Sequence, residues 1–183
     1  MRIIGGTAKG HTIKAPKGVD TRPTLDRVRE SVFNVLSNRG IFGTHVLDIF
    51  SGTGAVAIEA LSRGAAHAVA VDFKTGKLIL ENAKHCHVED RLEIIPRKLS
   101  QLKNYIMGQQ FDYIFSDPPY ENGFIQETID MVVDCDLLKP EGVLLLEHHK
   151  DEAFTLPESW ECIKEQKFGY TMVSYFVNIA ERS

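Results

Sequence analysis

Asp117, Pro118, Pro119 and Tyr120 carry the most distinctive chemistry in the 183-residue chain. They close the run Phe111-Asp112-Tyr113-Ile114-Phe115-Ser116, whose aromatic and β-branched residues predict a buried strand. Two consecutive prolines lack the N–H that a ladder needs and hold the residue before each extended. Asp117 is therefore expected at the carboxyl edge of a sheet, in a stiff loop with Tyr120 just beyond. In open α/β sheets that edge is where ligands bind. A carboxylate and a prolyl carbonyl there can hold a planar amino group, with an aromatic ring stacked on its plane. A strand-ending turn with an exposed tyrosine is the plainer alternative for these four residues alone.

A second constellation lies upstream. Val46-Leu47-Asp48-Ile49-Phe50 reads as a strand, Ser51-Gly52-Thr53-Gly54 as a glycine loop, and Ala55 onward as a helix start. Gly52 and Gly54 let the backbone turn sharply and approach a ligand. The helix start offers free N–H groups and a positive dipole end. Asp72 ends the next strand and can accept the hydroxyls of a ribose. Asp48, Ser51, Gly52, Gly54 and Asp72 are thus candidate nucleoside-cofactor residues. A nicotinamide dinucleotide would place its pyrophosphate at the helix end, where Asp48 is unfavourable. S-adenosylmethionine carries a sulfonium and an ammonium, and Asp48 suits the latter.

With these motifs stand Arg2-Ile3-Ile4-Gly5-Gly6, Thr21-Arg22-Pro23-Thr24 followed by Arg27-Val28-Arg29-Glu30, and Glu59-Ala60-Leu61-Ser62-Arg63-Gly64-Ala65. Together they resemble the RsmD-type 16S ribosomal RNA (guanine-N2) methyltransferases, a class I S-adenosylmethionine-dependent family, over nearly the whole chain. The resemblance implies a cytoplasmic enzyme that methylates one guanine amine of small-subunit rRNA. It also implies a Rossmann-like seven-stranded sheet. On that reading Asp117 and the Pro118 carbonyl position the amine, Pro119 stiffens the corner and Tyr120 stacks on the base. One position departs from the pattern: Lys98 stands where such enzymes often carry an Asp or Asn that reads adenine. An amino-methyltransferase of DNA or of protein glutamine, a non-catalytic RNA-binding protein and a small dinucleotide oxidoreductase are the competing readings.

The elements that must position these residues follow from periodicity. Strands are expected at 46–50, 66–71, 92–95, 111–116 and 143–147, with helices near 55–63, 75–86, 99–107 and 124–133 between them. This alternation predicts a mostly parallel sheet with helices on both faces. Residues 162–167 and 172–179 alternate around Gly169-Tyr170 and predict an antiparallel hairpin. Ahead of the sheet, residues 2–6 and 11–15 read as a short β-hairpin, and Leu25, Val28, Val32, Val35 and Leu36 predict a helix over 24–38, capped by Thr24. Residues 1–40 thus form an extension to a methyltransferase domain at 41–183. Arg27 and Arg29 fall off the apolar stripe of that helix.

Charge and composition bound the partners. The chain has a net charge of −4, yet residues 1–40 hold eight Lys or Arg against three Asp or Glu. A basic arm on an acidic body is a polyanion footprint. Arg2, Lys9, Lys14, Arg22, Arg27 and Arg29 are the candidate phosphate contacts. The family resemblance implies 16S rRNA in the small ribosomal subunit or an assembly intermediate as the partner; no membrane, no metal and a monomeric enzyme are expected. Cys86, Cys135 and Cys162 lie far apart, which suits a reducing compartment. His85-Cys86-His87 points in different directions on a helix and is not expected to bind metal.

Overall fold

The computed structural model describes residues 1–18, 23–120 and 122–181, with backbone only at 23, 24 and 181. The strands are β1 (His45–Ile49), β2 (His67–Val71), β3 (Leu92–Ile95), β4 (Phe111–Ser116), β5 (Leu138–His149), β6 (Trp160–Phe168) and β7 (Thr171–Asn178). The helices are α1 (Pro23–Arg39), α2 (Ala55–Ser62), α3 (Gly76–His85), α4 (Leu99–Ile106) and α5 (Phe124–Asp134). One seven-stranded sheet runs in the order β3-β2-β1-β4-β5-β7-β6, parallel through β5 and antiparallel at β7 and β6. β5 starts at Leu138, five residues before the apolar run that signals it, because Leu138 pairs with Phe111 across an irregularity in the ladder.

Alternation along each strand sends side chains to opposite faces. Val46, Ala68, Tyr113, Phe115, Val143 and Leu145 pack under α1, α2 and α3. Leu47, Ile49, Val69, Val71, Ile114 and Leu144 pack under α4 and α5. β6 forms an edge; its side chains are mostly exposed, and its ladder shifts register between Cys162 and Lys164.

The first forty residues share the core of the sheet. Ile3, Ala8, Ile13, Val28, Val32, Phe33 and Leu36 belong to the same buried cluster as α2 and α3. The expected two-stranded hairpin is reduced to a single antiparallel bridge, Arg2 with Thr12, supported by Ile3 N–H to His11 O at 3.0 Å and Gly10 N–H to Ile3 O at 2.8 Å. α1 begins at Pro23, one residue before the expected cap, because proline suits the first helical position.

Glu59, fully buried on α2, ties this segment down. Its carboxylate accepts from Ile4 N at 2.9 Å, from Gly5 N at 2.8 Å and from Arg63 Nε at 2.9 Å. Arg29 Nε lies 4.0 Å from the same carboxylate. Thr7 N–H donates to Ser62 O at 2.8 Å, and a Cβ on Gly6 (φ 78°) would lie 1.8 Å from that oxygen. Only glycine passes there. Glu59→Ala leaves two half-buried N–H groups without an acceptor and Arg29 without its nearest buried counter-charge. We expect a loss of about 3–5 kcal/mol in urea unfolding; a loss below about 1 kcal/mol would contradict this account.

Candidate active site

β1 and β4 are neighbours, so their carboxyl ends open side by side. The order reverses between them, and a crevice forms there. After β1 the chain turns through Phe50, whose φ of 59° is costly for a bulky residue. Its ring packs against Phe124 at 5.3 Å, which holds the turn. Gly52 and Gly54 follow at φ 59° and 83°. Nothing stands within 4 Å of a Cβ built on Gly52, so the loop faces open space there.

Two carboxylates brace this loop. Asp48 is buried, and its Oδ2 accepts from Ser51 Oγ at 2.6 Å and from Ala57 N at 3.2 Å. Its Oδ1 has no hydrogen-bond partner among the described residues. Asp72 Oδ2 accepts from Gly52 N at 3.1 Å, and its Oδ1 from Lys74 N at 2.9 Å and Thr75 N at 3.1 Å. A carboxylate has about four acceptor positions, so Asp72 retains capacity for a ligand. Both acids thus do structural work at the site, beyond the ligand roles expected from their spacing. Ser51 reaches the site through Asp48.

Asp117, one residue past β4, and Glu147, near the end of β5, stand side by side. Ser116 pairs with Leu146, and the next position on each strand brings the two acids together. Phe115 and Leu145, two residues back, face α1 and α2, so both acids point to that face; Asp48 shares it through Val46. The three acids line one cavity of about 190 Å³ roofed by Leu25, Val28 and Val32 of α1. Asp117 and Glu147 also line a larger cleft of about 840 Å³, which runs from Asp72 and Phe73 past Lys98 and Leu99 to Pro118, Pro119 and Tyr120. That volume lies in the range of small-molecule sites.

Burial raises all three acids above the usual carboxylate range. Asp48 is pushed to about 7, with Asp117 and Asp72 adding to the effect of burial while the Ser51 and Ala57 hydrogen bonds oppose it. Asp117 is raised to about 7 by burial. Glu147 is raised to about 8, first by burial and then by the charge of Asp117. No Lys or Arg among the described residues forms an ion pair with any of the three. A cation in the cavity would relieve them; a pyrophosphate would not.

Glu147 is the site residue that sequence reasoning missed. Its signal was present: Val143-Leu144-Leu145-Leu146 ends in an acid just as the β4 run does. Pro118 is buried and Pro119 exposed. Tyr120 is 42% exposed, and its hydroxyl is paired with Thr171 Oγ1 at 2.8 Å. Lys98 is exposed, with its Nζ 5.4 Å from the centre of the Phe73 ring.

The basic arm divides. Arg2, Lys9 and Arg27 are exposed. Lys14 is exposed and ion-paired with Glu81. Arg22 lies outside the described residues. Arg29 is a correction: it is only 5% exposed, donates to the Arg2 carbonyl and faces Glu59 and Asp26, so it is an internal strut and no phosphate contact. Among the described residues no group of three or more His, Cys, Asp or Glu is arranged to hold a metal ion, and no helix is long and apolar enough to cross a membrane.

This strand order, with a glycine loop after β1 and Asp-Pro-Pro-Tyr after β4, defines a class I methyltransferase. The family model described as Conserved hypothetical protein 95 matches residues 1–177. The chain belongs to that family, the RsmD-type methyltransferases. Ribosomal RNA small subunit methyltransferase D of Escherichia coli K12 is 32% identical, covering 92% of this chain and 85% of its own length. The protein of that name from Haemophilus influenzae is 32% identical over 96% and 91%. The solved structure of yhhF from Escherichia coli is 30% identical over 96% of each chain, with a TM-score of 0.85.

The raised acids make stability depend on pH with a definite sign. Once unfolded they ionise near pH 4; folded, they keep their protons up to about 7 or 8. Over that window the folded chain binds more protons, so stability falls as pH rises. Thermal melting of the unliganded protein across this window should show the fall, and Asp48→Asn should flatten it. An identical slope in the variant would show that Asp48 is ionised throughout.

Proposed function

We propose that this enzyme transfers a methyl group from S-adenosylmethionine to the exocyclic N2 amine of a guanine in 16S rRNA, within the small ribosomal subunit or a precursor of it. The observation that carries this reading is the row of three acids beside a glycine loop. Carboxyls of raised proton affinity, in no ion pair among the described residues, suit a sulfonium and an ammonium, and they oppose the phosphates of a dinucleotide. The names of the relatives, which are rRNA small subunit methyltransferases, support the substrate class.

The residues fit the cofactor. On this reading Asp48 would hold the ammonium through its Oδ1, the Gly52–Gly54 backbone would hold the amino-acid end, and Asp72 would accept from the ribose. Phe73 and Leu99 give the adenine an apolar wall, and Lys98 offers no side-chain acceptor there. When bound, S-adenosylmethionine supplies an electrophilic methyl on a sulfonium that leaves as a neutral thioether.

The remaining work belongs to the chain. The guanine amine is a weak nucleophile because its lone pair is delocalised into the ring. The Asp117 carboxylate and the Pro118 carbonyl accept its N–H bonds and direct the lone pair outward. As the N–C bond forms, one N–H proton passes to Asp117. Burial keeps the affinity of Asp117 for that proton near neutrality. Tyr120, anchored by Thr171, stacks on the base after it leaves its helix. Catalysis is mainly positioning.

Asp117→Ala should raise the barrier by about 3–4 kcal/mol, a fall in kcat of about 100- to 1000-fold, while calorimetric affinity for S-adenosylhomocysteine persists. The measurement is methyl incorporation into small-subunit particles from cells lacking the enzyme. Incorporation at the parental rate would refute the assignment.

A further inference from the structure

A second groove adjoins the cleft and shares Tyr120 as a wall. It has a volume of about 660 Å³ and is lined by Arg27, His149, Lys167, Tyr170 and Thr171, among others. It lies at the β6–β7 turn, and none of its residues except Arg27 belongs to the basic arm. Tyr170 is 72% exposed. His149 is stacked on it at 6.0 Å with 7° between the rings, and Lys150 Nζ lies 5.6 Å from the ring centre. His149 also meets Tyr120 edge-on at 5.9 Å. An aromatic row thus runs Tyr120, His149, Tyr170, out from the catalytic corner.

The groove lining carries Arg27, His149 and Lys167 and no acid. Arg27 and Lys167 are exposed and in no ion pair among the described residues. Lys150 and His149 each lie 3.9 Å from Asp151, which is itself 72% exposed. A stacking platform flanked by unpaired cations is the chemistry that holds a single-stranded nucleotide: rings take the base face and cations take the phosphate. Tyr170 packs on His149 alone among the aromatic rings and leaves most of its surface in solvent.

We propose that this groove holds the nucleotide next to the target guanine in the RNA chain, with its base on Tyr170 and its phosphate between Arg27 and Lys167. The inference rests on the RNA-methylating reading above. When a base swings out to be modified, its neighbours lose a stacking partner. A platform beside Tyr120 offers one of them a replacement and keeps the strand splayed. The groove then selects an opened RNA shape and carries little base identity, since every base has a stacking face.

The test uses the full chain, small-subunit particles lacking the methyl group, and S-adenosylhomocysteine calorimetry. Tyr170→Ala should raise KM for the particle by about 10-fold, with affinity for S-adenosylhomocysteine and the thermal midpoint unchanged. Tyr170→Phe, which keeps the ring, should restore parental KM. Lys167→Ala should raise KM and lower the salt dependence of particle binding by about one unit of slope. Parental KM in Tyr170→Ala overturns the groove alone. Loss of S-adenosylhomocysteine affinity in that variant also overturns it, because the turn would then serve the fold. A parental protein that binds S-adenosylhomocysteine but methylates no small-subunit RNA overturns the underlying reading, and the inference with it.

Discussion

Parallel register on β1, β4 and β5 sets the chemistry of this protein. It carries Asp48, Asp117 and Glu147 to one face at one edge of the sheet. A one-residue slip of any strand would send its acid to the α4–α5 side. The register is held by the apolar residues behind each acid, which are fully buried on alternating faces. Core packing and site geometry are therefore the same constraint seen at two ends of a strand. None of the three is in an ion pair among the described residues, although Arg29 lines the same cavity, and burial holds them near neutrality. Three like charges would repel if all were ionised, so the empty site favours protons and the occupied one a positive ligand.

The roof over that site is the second dependency. α1 covers the small cavity, and it is fastened from below by Glu59 through Ile4, Gly5 and Arg29. One buried acid thus joins the basic N-terminal arm to the helix that follows the glycine loop. The arm is part of the core, and its outer surface is cationic. Arg2, Lys9 and Arg27 remain on that surface, while Arg29 has been drawn inside.

Much of this was legible in the chain. Strand and helix alternate with clear periods, and Asp-Pro-Pro-Tyr and the glycine loop fall at the strand ends that periodicity predicts. Arg29 was misplaced because the α1 stripe was drawn through apolar residues alone. Leu25, Arg29, Val32 and Leu36 are spaced by four, three and four, so the arginine occupies a core slot. Glu59 gave a similar sign, a lone acid in the otherwise small and apolar helix Ala55–Ser62. Buried charges satisfy the helical period without satisfying its polarity, and they are found only by asking what would neutralise them. The N-terminal hairpin shrank to one bridge because its backbone groups found partners on α2. The groove at Tyr170 was beyond sequence reasoning, since it joins α1, the end of β5 and a turn far apart in the chain.

β6 closes the sheet with an exposed outer rim. Its charged side chains and its slipped register near Cys162 leave no flat, regular row of free backbone groups. Another strand arriving there would have to desolvate lysines and glutamates and match a kinked ladder. The same rim leads into the turn that bears Tyr170. On the platform proposed at Tyr170, a border that rejects β-partners while presenting a ring and cations at its tip would discriminate between two kinds of visitor, turning away polypeptide and admitting a polynucleotide strand.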